Sequence, residues 1–229
     1  MKVAILSCIW QRKSVFRIFS QSMKRIKKFD VLPLIVGSEG SKSKSLAKEY
    51  GLAYIEYPNA PLGAKFNAGM KVLRGMDYVM VLGSDDIISD SYMELFLQEM
   101  HKGYDVIGTI DAYYYSPIKK ELGYWGGYET RRQGETIGMG RTLSKRVLDK
   151  LDWTPWRSDI NKGLDGSMTS KLSNIRLKQS KIKMIDTGIM AVDIKIATNI
   201  TSYGCFPNLE IMTIDSIKIL PEWKQIIKL

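Results

Sequence analysis

The stretch MDYVMVLGSDDIIS, residues 76–89, runs from a short apolar segment straight into two adjacent carboxylates, Asp85 and Asp86. An apolar run of this length, closed by Gly83 and Ser84, reads as a buried strand. Two like charges side by side repel each other. The carboxyl ends of strands in open α/β sheets are also where ligand crevices form. The pair therefore calls for a cation, and the strand for a parallel sheet to carry it.

The rest of the first 110 residues repeats that unit. KVAILSCIW is strand-like and is followed by KSVFRIFSQSMKRIKK, where Val15, Ile18, Phe19 and Met23 form a helical stripe. VLPLIVGSEG, LAYIEYP and YDVIGTI read as further strands, and SKSLAKEYG, LGAKFNAGMKVLRG and SDSYMELFLQEMHKG as the helices between them. This βαβ rhythm implies an α/β fold with a mainly parallel central sheet flanked by helices. Residues 111–150 break the rhythm with YYYSP, YWGGY and RRQGETIGMG, which suit loops or short antiparallel strands. LSKRVLDKL resumes a helix, GLDGSMTSKL opens another at an acidic residue, and IKMIDTGIMAVDI reads as one strand. The tail LEIMTIDSIKILPEWKQIIKL is apolar and basic; it reads as a docking helix, with Pro221 interrupting it or starting its last segment.

At 229 residues the chain suits one domain with a sizeable core. The expected division of that single domain is a first half over 1–110, a second over 111–200 and a tail over 201–229. Lys and Arg number 34 against 24 Asp and Glu, a net charge of +10, which suits either an anionic partner or a solvated basic surface. Only Cys8 and Cys205 are present, so neither a disulfide framework nor a cysteine-rich zinc site is legible, and a reducing cytoplasm is the expected compartment. No run reaches the length of a membrane span, and MKVAILSCIW is too quickly followed by QRK for a signal peptide.

Carboxylates at a strand end can hold Mn²⁺ or Mg²⁺, which shares its remaining positions with water and phosphate oxygens. With that chemistry in view, the chain resembles the nucleotide-sugar-dependent glycosyltransferases of the GT-A fold, in particular family 2. The residues that carry the resemblance stand in order. CIWQR follows the first strand, VGSEGS the second, GAKFNAG spans Gly63 to Gly69, GSDD ends the central strand, and GLDG opens a late helix. The resemblance implies a GT-A, Rossmann-like sheet with an acceptor-side insertion and a C-terminal tail, in which 1–110 would be the nucleotide-sugar-binding half and 111–200 the acceptor-binding half. It implies Asp85 as the leading metal ligand and Asp86 as an auxiliary one, because Gly83 stands where the family has a further aspartate. The second-strand aspartate that contacts the nucleobase is missing, with Glu39 as its substitute. The late metal-binding histidine is missing too; His101 sits in the wrong helix, and Asp193, Asn199 or water would take its place.

On that resemblance the donor, most simply a UDP-sugar, would be bound by Trp10, Arg12, Glu39, Gly63, Lys65, Asn67, Ser84 and Asp85. Trp10 suits either stacking on the base or the core. Lys65 would pair with the diphosphate or the nucleobase, or is a solvated helix lysine. Asn67 would pin its loop through main-chain hydrogen bonds. Asp165 is the candidate base for an inverting transfer; its alternative is a carboxylate favoured by a helix N-terminus. The segment Tyr113–Gly140 would form the acceptor site, with Trp125, Gly126, Gly127 and Tyr128 stacking a sugar or base and Arg131, Arg132 and Arg141 taking phosphates, or else a structural flap.

Two acceptors compete. One is DNA carrying a hydroxymethylated pyrimidine, as for some bacteriophage glycosyltransferases, which would work in the host cytoplasm. The other is a lipid-linked or surface-polysaccharide intermediate, with the basic tail resting on an anionic membrane surface. A nucleotidyltransferase or a non-catalytic binding module is the remaining class.

Overall fold

The computed structural model describes residues 1–206 and 208–229. The alternation read from the apolar runs is present as β1 (Val3–Cys8), α1 (Lys13–Ile26), β2 (Val31–Gly37), α2 (Ser41–Glu49), β3 (Ala53–Glu56), α3 (Leu62–Val72) and β4 (Tyr78–Val81). There follow β5 (Asp86–Ile88), α4 (Asp90–His101), β6 (Val106–Thr109), β7 (Ala112–Ser116), β8 (Glu121–Trp125), β9 (Thr142–Ser144) and α5 (Lys145–Lys150). The chain closes with α6 (Leu164–Leu172), β10 (Gln179–Ile182), α7 (Met184–Thr187), β11 (Ala191–Ile194), β12 (Glu210–Met212) and α8 (Trp223–Ile226).

The strands form two sheets. The larger runs β10-β6-β9-β4-β1-β2-β3, with β4, β1, β2 and β3 parallel and β9 antiparallel to both its neighbours. Helices cover both faces, so the inner strands are apolar on both sides and lack alternation. α1, α2 and α4 pack on one face through Phe16, Phe19, Leu46, Tyr92 and Phe96, and α3, α5 and α6 on the other through Phe66, Met70, Val147 and Met168. α4 is capped by Ser89, whose Oγ accepts from the Tyr92 amide at 3.1 Å. Lys24 and Arg25 in the last turn of α1 suit the negative end of its dipole.

The second sheet runs β12-β8-β7-β11-β5, with β7 and β8 an antiparallel hairpin. Two strands in the opening stretch thus belong to different sheets: β4 lies inside the first and β5 at the edge of the second. The GSDD turn is the seam between them, and this places the carboxylates where the sheets meet.

Two expectations are corrected. IKMIDTGIMAVDI is not one strand: β10 ends at Ile182, α7 intervenes, Gly188 at φ 68° takes the left-handed conformation that stops it, and β11 begins at Ala191. Nor is the tail one docking helix. It forms a short 3-10 helix, Ile214–Ile219, and the four-residue α8, which starts two residues after Pro221. Ile217, Leu220 and Ile226 are fully buried in the main core, and Glu222 accepts from Arg25 Nε at 2.9 Å. The amphipathic pattern is that of a strap across the core. No helix among the described residues is long and apolar enough to cross a membrane.

Candidate active site

Asp85 and Asp86 are both buried at the seam, and the antiparallel pairing of β5 with β11 sets Asp193 directly opposite Asp86. One oxygen from each of the three carboxylates lies within 4.8 Å of the others. Asp86 Oδ2 accepts from the Gly83 amide at 2.5 Å. Asp85 Oδ2 is held by Arg12 at 2.5 Å and by the Asn199 amide at 2.6 Å. Lys195 is ion-paired with Asp193, and its ammonium lies 4.9 Å from the Tyr114 ring centroid. Burial, followed by the charges of Asp193 and Asp85, pushes the Asp86 carboxyl well above the carboxylate range. Burial raises Asp193 to about 6, although Lys195 opposes it. The cluster holds more negative charge than Arg12 and Lys195 relieve, and its oxygen-only donor set fits a hard divalent cation. Asp85, Asp86 and Asp193 are the residues that would hold Mn²⁺ or Mg²⁺.

A cavity opens on either side of this cluster. The first, about 430 Å³, is lined by Ile9, Trp10, Arg12, Asn59, Lys65 and Ser84 and closed by residues 161–164 and 198–201. The second, about 570 Å³, is walled by Tyr114, Trp125, Tyr128, Phe206 and Asp165. Asp85, Asp193 and Lys195 line both. Trp10 stands 43% exposed at the first cavity, which removes its core reading. Lys65 is not a solvated lysine: it is 1% exposed, donates to the Ile9 carbonyl at 2.7 Å and to Asn59 Oδ1 at 3.2 Å, and burial lowers its pKa. Asn67 does pin a loop, donating to the Trp156 carbonyl at 2.9 Å and accepting from the Trp156 amide at 3.3 Å.

Asp165 sits in the first turn of α6 and faces the second cavity. Its Oδ2 accepts from Tyr128 Oη at 3.0 Å and from the Gly138 amide at 3.1 Å. A Cβ on Gly138 would overlap Asp165 Oδ1, so glycine permits that approach. Burial and the Asp165 charge push the Tyr128 phenol up to about 12, keeping it a donor to the carboxylate. Trp125 meets Tyr128 edge-on at 5.0 Å, and Phe206 stacks on Tyr114 at 3.8 Å.

Several expected contacts lie elsewhere. Glu39 does not line the donor-side cavity; it accepts from the Gln11 amide at 3.1 Å and from Ser43 at 2.9 Å, closing the turn into α2. Gly63 gives way to the Arg157 carbonyl, where a side chain would collide. Gly126 and Arg131 are exposed and outside both cavities, while Gly127 lines the second with a φ of 103°. Arg132 lies 3.5 Å from the Tyr128 ring centroid and pairs with Glu135 at 2.9 Å, so it buttresses the aromatic wall. Arg141 is fully buried on main-chain carbonyls and lines a different cavity. His101 is exposed at the end of α4. Lys195, Asn59 and Thr198 had no place in the sequence-based site. The spacing of Asp193 and Lys195, two apart next to a strand, is a signal that sets both on one face.

A model of glycosyl transferase family 2 matches residues 10–150, more than half of the chain. The chain belongs to that family. The match stops before Asp165, Asp193 and Lys195, so these family 2 assignments rest on the geometry above. No curated protein sequence matches. Similar solved structures include S. aureus TarS 1–349, at TM-score 0.55 and 13% identity over 79% of this chain and 60% of that one. CMP:2-keto-3-deoxy-manno-octonic acid synthetase complexed with CTP follows at 0.54 and 11%, over 90% and 95%. 4-Diphosphocytidyl-2C-methyl-D-erythritol synthase of Anaerococcus prevotii stands at 0.51 and 11%, over 80% and 86%. These likenesses show a mixed α/β fold. The chain spans 60% and 38% of the two TarS structures it resembles.

Proposed function

We propose that this chain transfers a sugar from a nucleotide-sugar donor to a hydroxyl of a saccharide acceptor, with inversion. One observation carries the reading: the carboxylate cluster stands in the wall common to two cavities, one bounded by Trp10, Arg12 and Lys65 and the other by an aromatic box holding Asp165. The donor, most simply a UDP-sugar, lies in the first with its base at Trp10 and its diphosphate toward Asp85. When bound by Asp85, Asp86 and Asp193, Mn²⁺ or Mg²⁺ supplies charge neutralisation of the departing diphosphate. Arg12 and Lys195 add positive charge from the protein itself. Asp165 takes the acceptor hydroxyl proton as that oxygen bonds to the anomeric carbon and the bond to the diphosphate breaks. Tyr128 and the Gly138 amide hold the Asp165 carboxylate in place for this step.

The acceptor cavity favours a neutral saccharide over DNA. It is lined by Asp85, Asp86, Glu129, Asp165 and Asp193, with Lys195, itself paired, as the only cationic lining residue among the described residues. Of the expected phosphate contacts, Arg141 is buried, Arg132 is paired with Glu135 and the Tyr128 ring, and Arg131 is exposed outside this cavity. Such a wall repels a polyphosphate backbone, whereas Trp125, Tyr114 and Phe206 offer faces for sugar rings. The reading suits a surface-polysaccharide or lipid-linked glycan acceptor. The chain would work at the cytoplasmic side of a membrane.

The test is turnover of a panel of nucleotide sugars with Mn²⁺ or Mg²⁺, following the released nucleotide. Nucleoside diphosphate release that rises with saccharide acceptors and is abolished in Asp85→Asn is the expected result. Pyrophosphate release from a nucleoside triphosphate and a sugar phosphate would instead identify a nucleotidyltransferase. Transfer to hydroxymethylated duplex DNA in preference to saccharides would overturn the acceptor assignment.

A further inference from the structure

Behind the candidate base lies a cavity of about 260 Å³ that Asp165 does not line. Its walls include Thr169 and Leu172 of α6, Ser173 at its C-cap, Thr136 and Arg141 from the chain leading into β9, and Gln179 and Lys181 of the edge strand β10. Strand alternation turns Gln179 and Lys181 to one side while Ser180 and Ile182 are buried. Thr169 and Ser173, four residues apart, share a face of the helix or its cap.

Arg141 is 1% exposed, and its guanidinium bonds only main-chain carbonyls. Nη2 donates to Thr136 O, Nη1 donates to Asp165 O at 3.4 Å, and Nε is buried without a partner. Among the described residues no carboxylate lies within ion-pair distance of Arg141 or of Lys181. Among the described residues the single carboxylate in the wall, Glu135, is taken by Arg132 at 2.9 Å. A fully buried charge normally has a partner, because removing it from water is costly. Here the buried Arg141 and the exposed Lys181, with Thr169 and Gln179, line one small space whose carboxylate is already spent on Arg132.

We propose that this cavity binds a phosphoryl group. Arg141 and Lys181 supply the charge, and Thr169 and Gln179 supply neutral donors, whereas the Ser173 hydroxyl is spent on the Ser170 carbonyl at 2.8 Å. Its volume lies below the range for drug-sized ligands, which suits one phosphate rather than a nucleotide. Inorganic phosphate and the terminal phosphate of a monoester share this chemistry. Because Arg141 also holds the Asp165 carbonyl, occupancy is coupled to the placement of the base; that consequence rests on the glycosyltransferase reading, whereas the binding does not.

The experiment is calorimetric titration of the full chain, without metal or nucleotide sugar, with inorganic phosphate and separately with a sugar 1-phosphate. Expected is one saturable site, weakened about tenfold by Lys181→Ala and by Thr169→Val and retained in Arg12→Ala. Tighter binding of the sugar phosphate with the same dependence identifies a monoester as the ligand, and binding of inorganic phosphate alone identifies the free ion. Lys181 and Thr169 are not fully buried, so their variants fold even if Arg141→Gln does not. The proposal is overturned if no saturable binding occurs, if both variants bind as the wild type does, or if Arg12→Ala abolishes binding, which would place the phosphate in the donor cavity.

Discussion

Asp165 is the residue on which the proposed chemistry turns, and its neighbours make that role testable. Asp165→Asn keeps the size and the hydrogen bonds to Tyr128 and Gly138 but cannot accept a proton; turnover should fall about 100- to 10,000-fold while donor binding by calorimetry is unchanged. Gly138→Ala probes the same carboxylate by displacement. The added methyl overlaps Asp165 Oδ1, a side-chain atom that can swing away. The expected outcome is a loss of kcat on the order of 100-fold with an unaltered circular dichroism spectrum. Wild-type turnover in Asp165→Asn would remove Asp165 as the base, and wild-type turnover in Gly138→Ala would show that its placement by Gly138 does not matter. At this scale the sequence was informative wherever a residue's neighbours in the chain determine its environment. Asp85 and Asp86 announced themselves by adjacency and Asp165 by its helix start. Lys195 and the true positions of Arg132 and Arg141 did not, because a cation's role depends on which carboxylate, ring or carbonyl the fold brings to it.

Elements meet through a few polar ties, and Asp105 is the clearest. It precedes β6 and accepts from Arg146 of α5 at 2.7 and 2.5 Å, and from the Lys178 amide before β10 at 2.8 Å. Burial pushes the Asp105 carboxyl up, but the Arg146 and Lys178 hydrogen bonds outweigh it and hold its pKa below the ordinary value. A depressed folded-state pKa adds stability above the unfolded value, near 3.9, that is lost as pH falls through the folded one. Asp105→Asn should therefore destabilise at pH 7 by about 1–3 kcal/mol. The difference from wild type should shrink as pH falls below the unfolded-state value and through the depressed folded-state one, as measured by urea unfolding across pH. Asn67 makes the equivalent tie between α3 and the Trp156 loop, and Asn67→Ala should cost about 1–3 kcal/mol by the same measurement, since it strands the Trp156 amide and carbonyl. The α/β repeat up to β6 was legible because apolar runs and helical stripes are local signals. β5, β9 and β12, three residues each, were not, since strands so short are defined by their partners.

Across the whole molecule, the tail and the second sheet complete what the parallel sheet begins. Leu220 and Ile226 seal the main core, and Leu220→Ala should cost about 2–4 kcal/mol, read as a fall in Tm of roughly 4–16 °C for a chain of this size. An unchanged Tm would mean that the tail is dispensable. By itself the sequence determined the fold class, the strand-end position of Asp85 and Asp86 and the helix-start position of Asp165, because hydrophobic period, glycine stops and adjacent like charges act over a few residues. Only the tertiary structure decided that GSDD is the seam of two sheets, that Asp193 completes the cluster from about a hundred residues away, and that the wall of the second cavity is acidic and aromatic. Those features depend on strand pairing and burial between distant segments, and no local pattern encodes which distant segment will arrive.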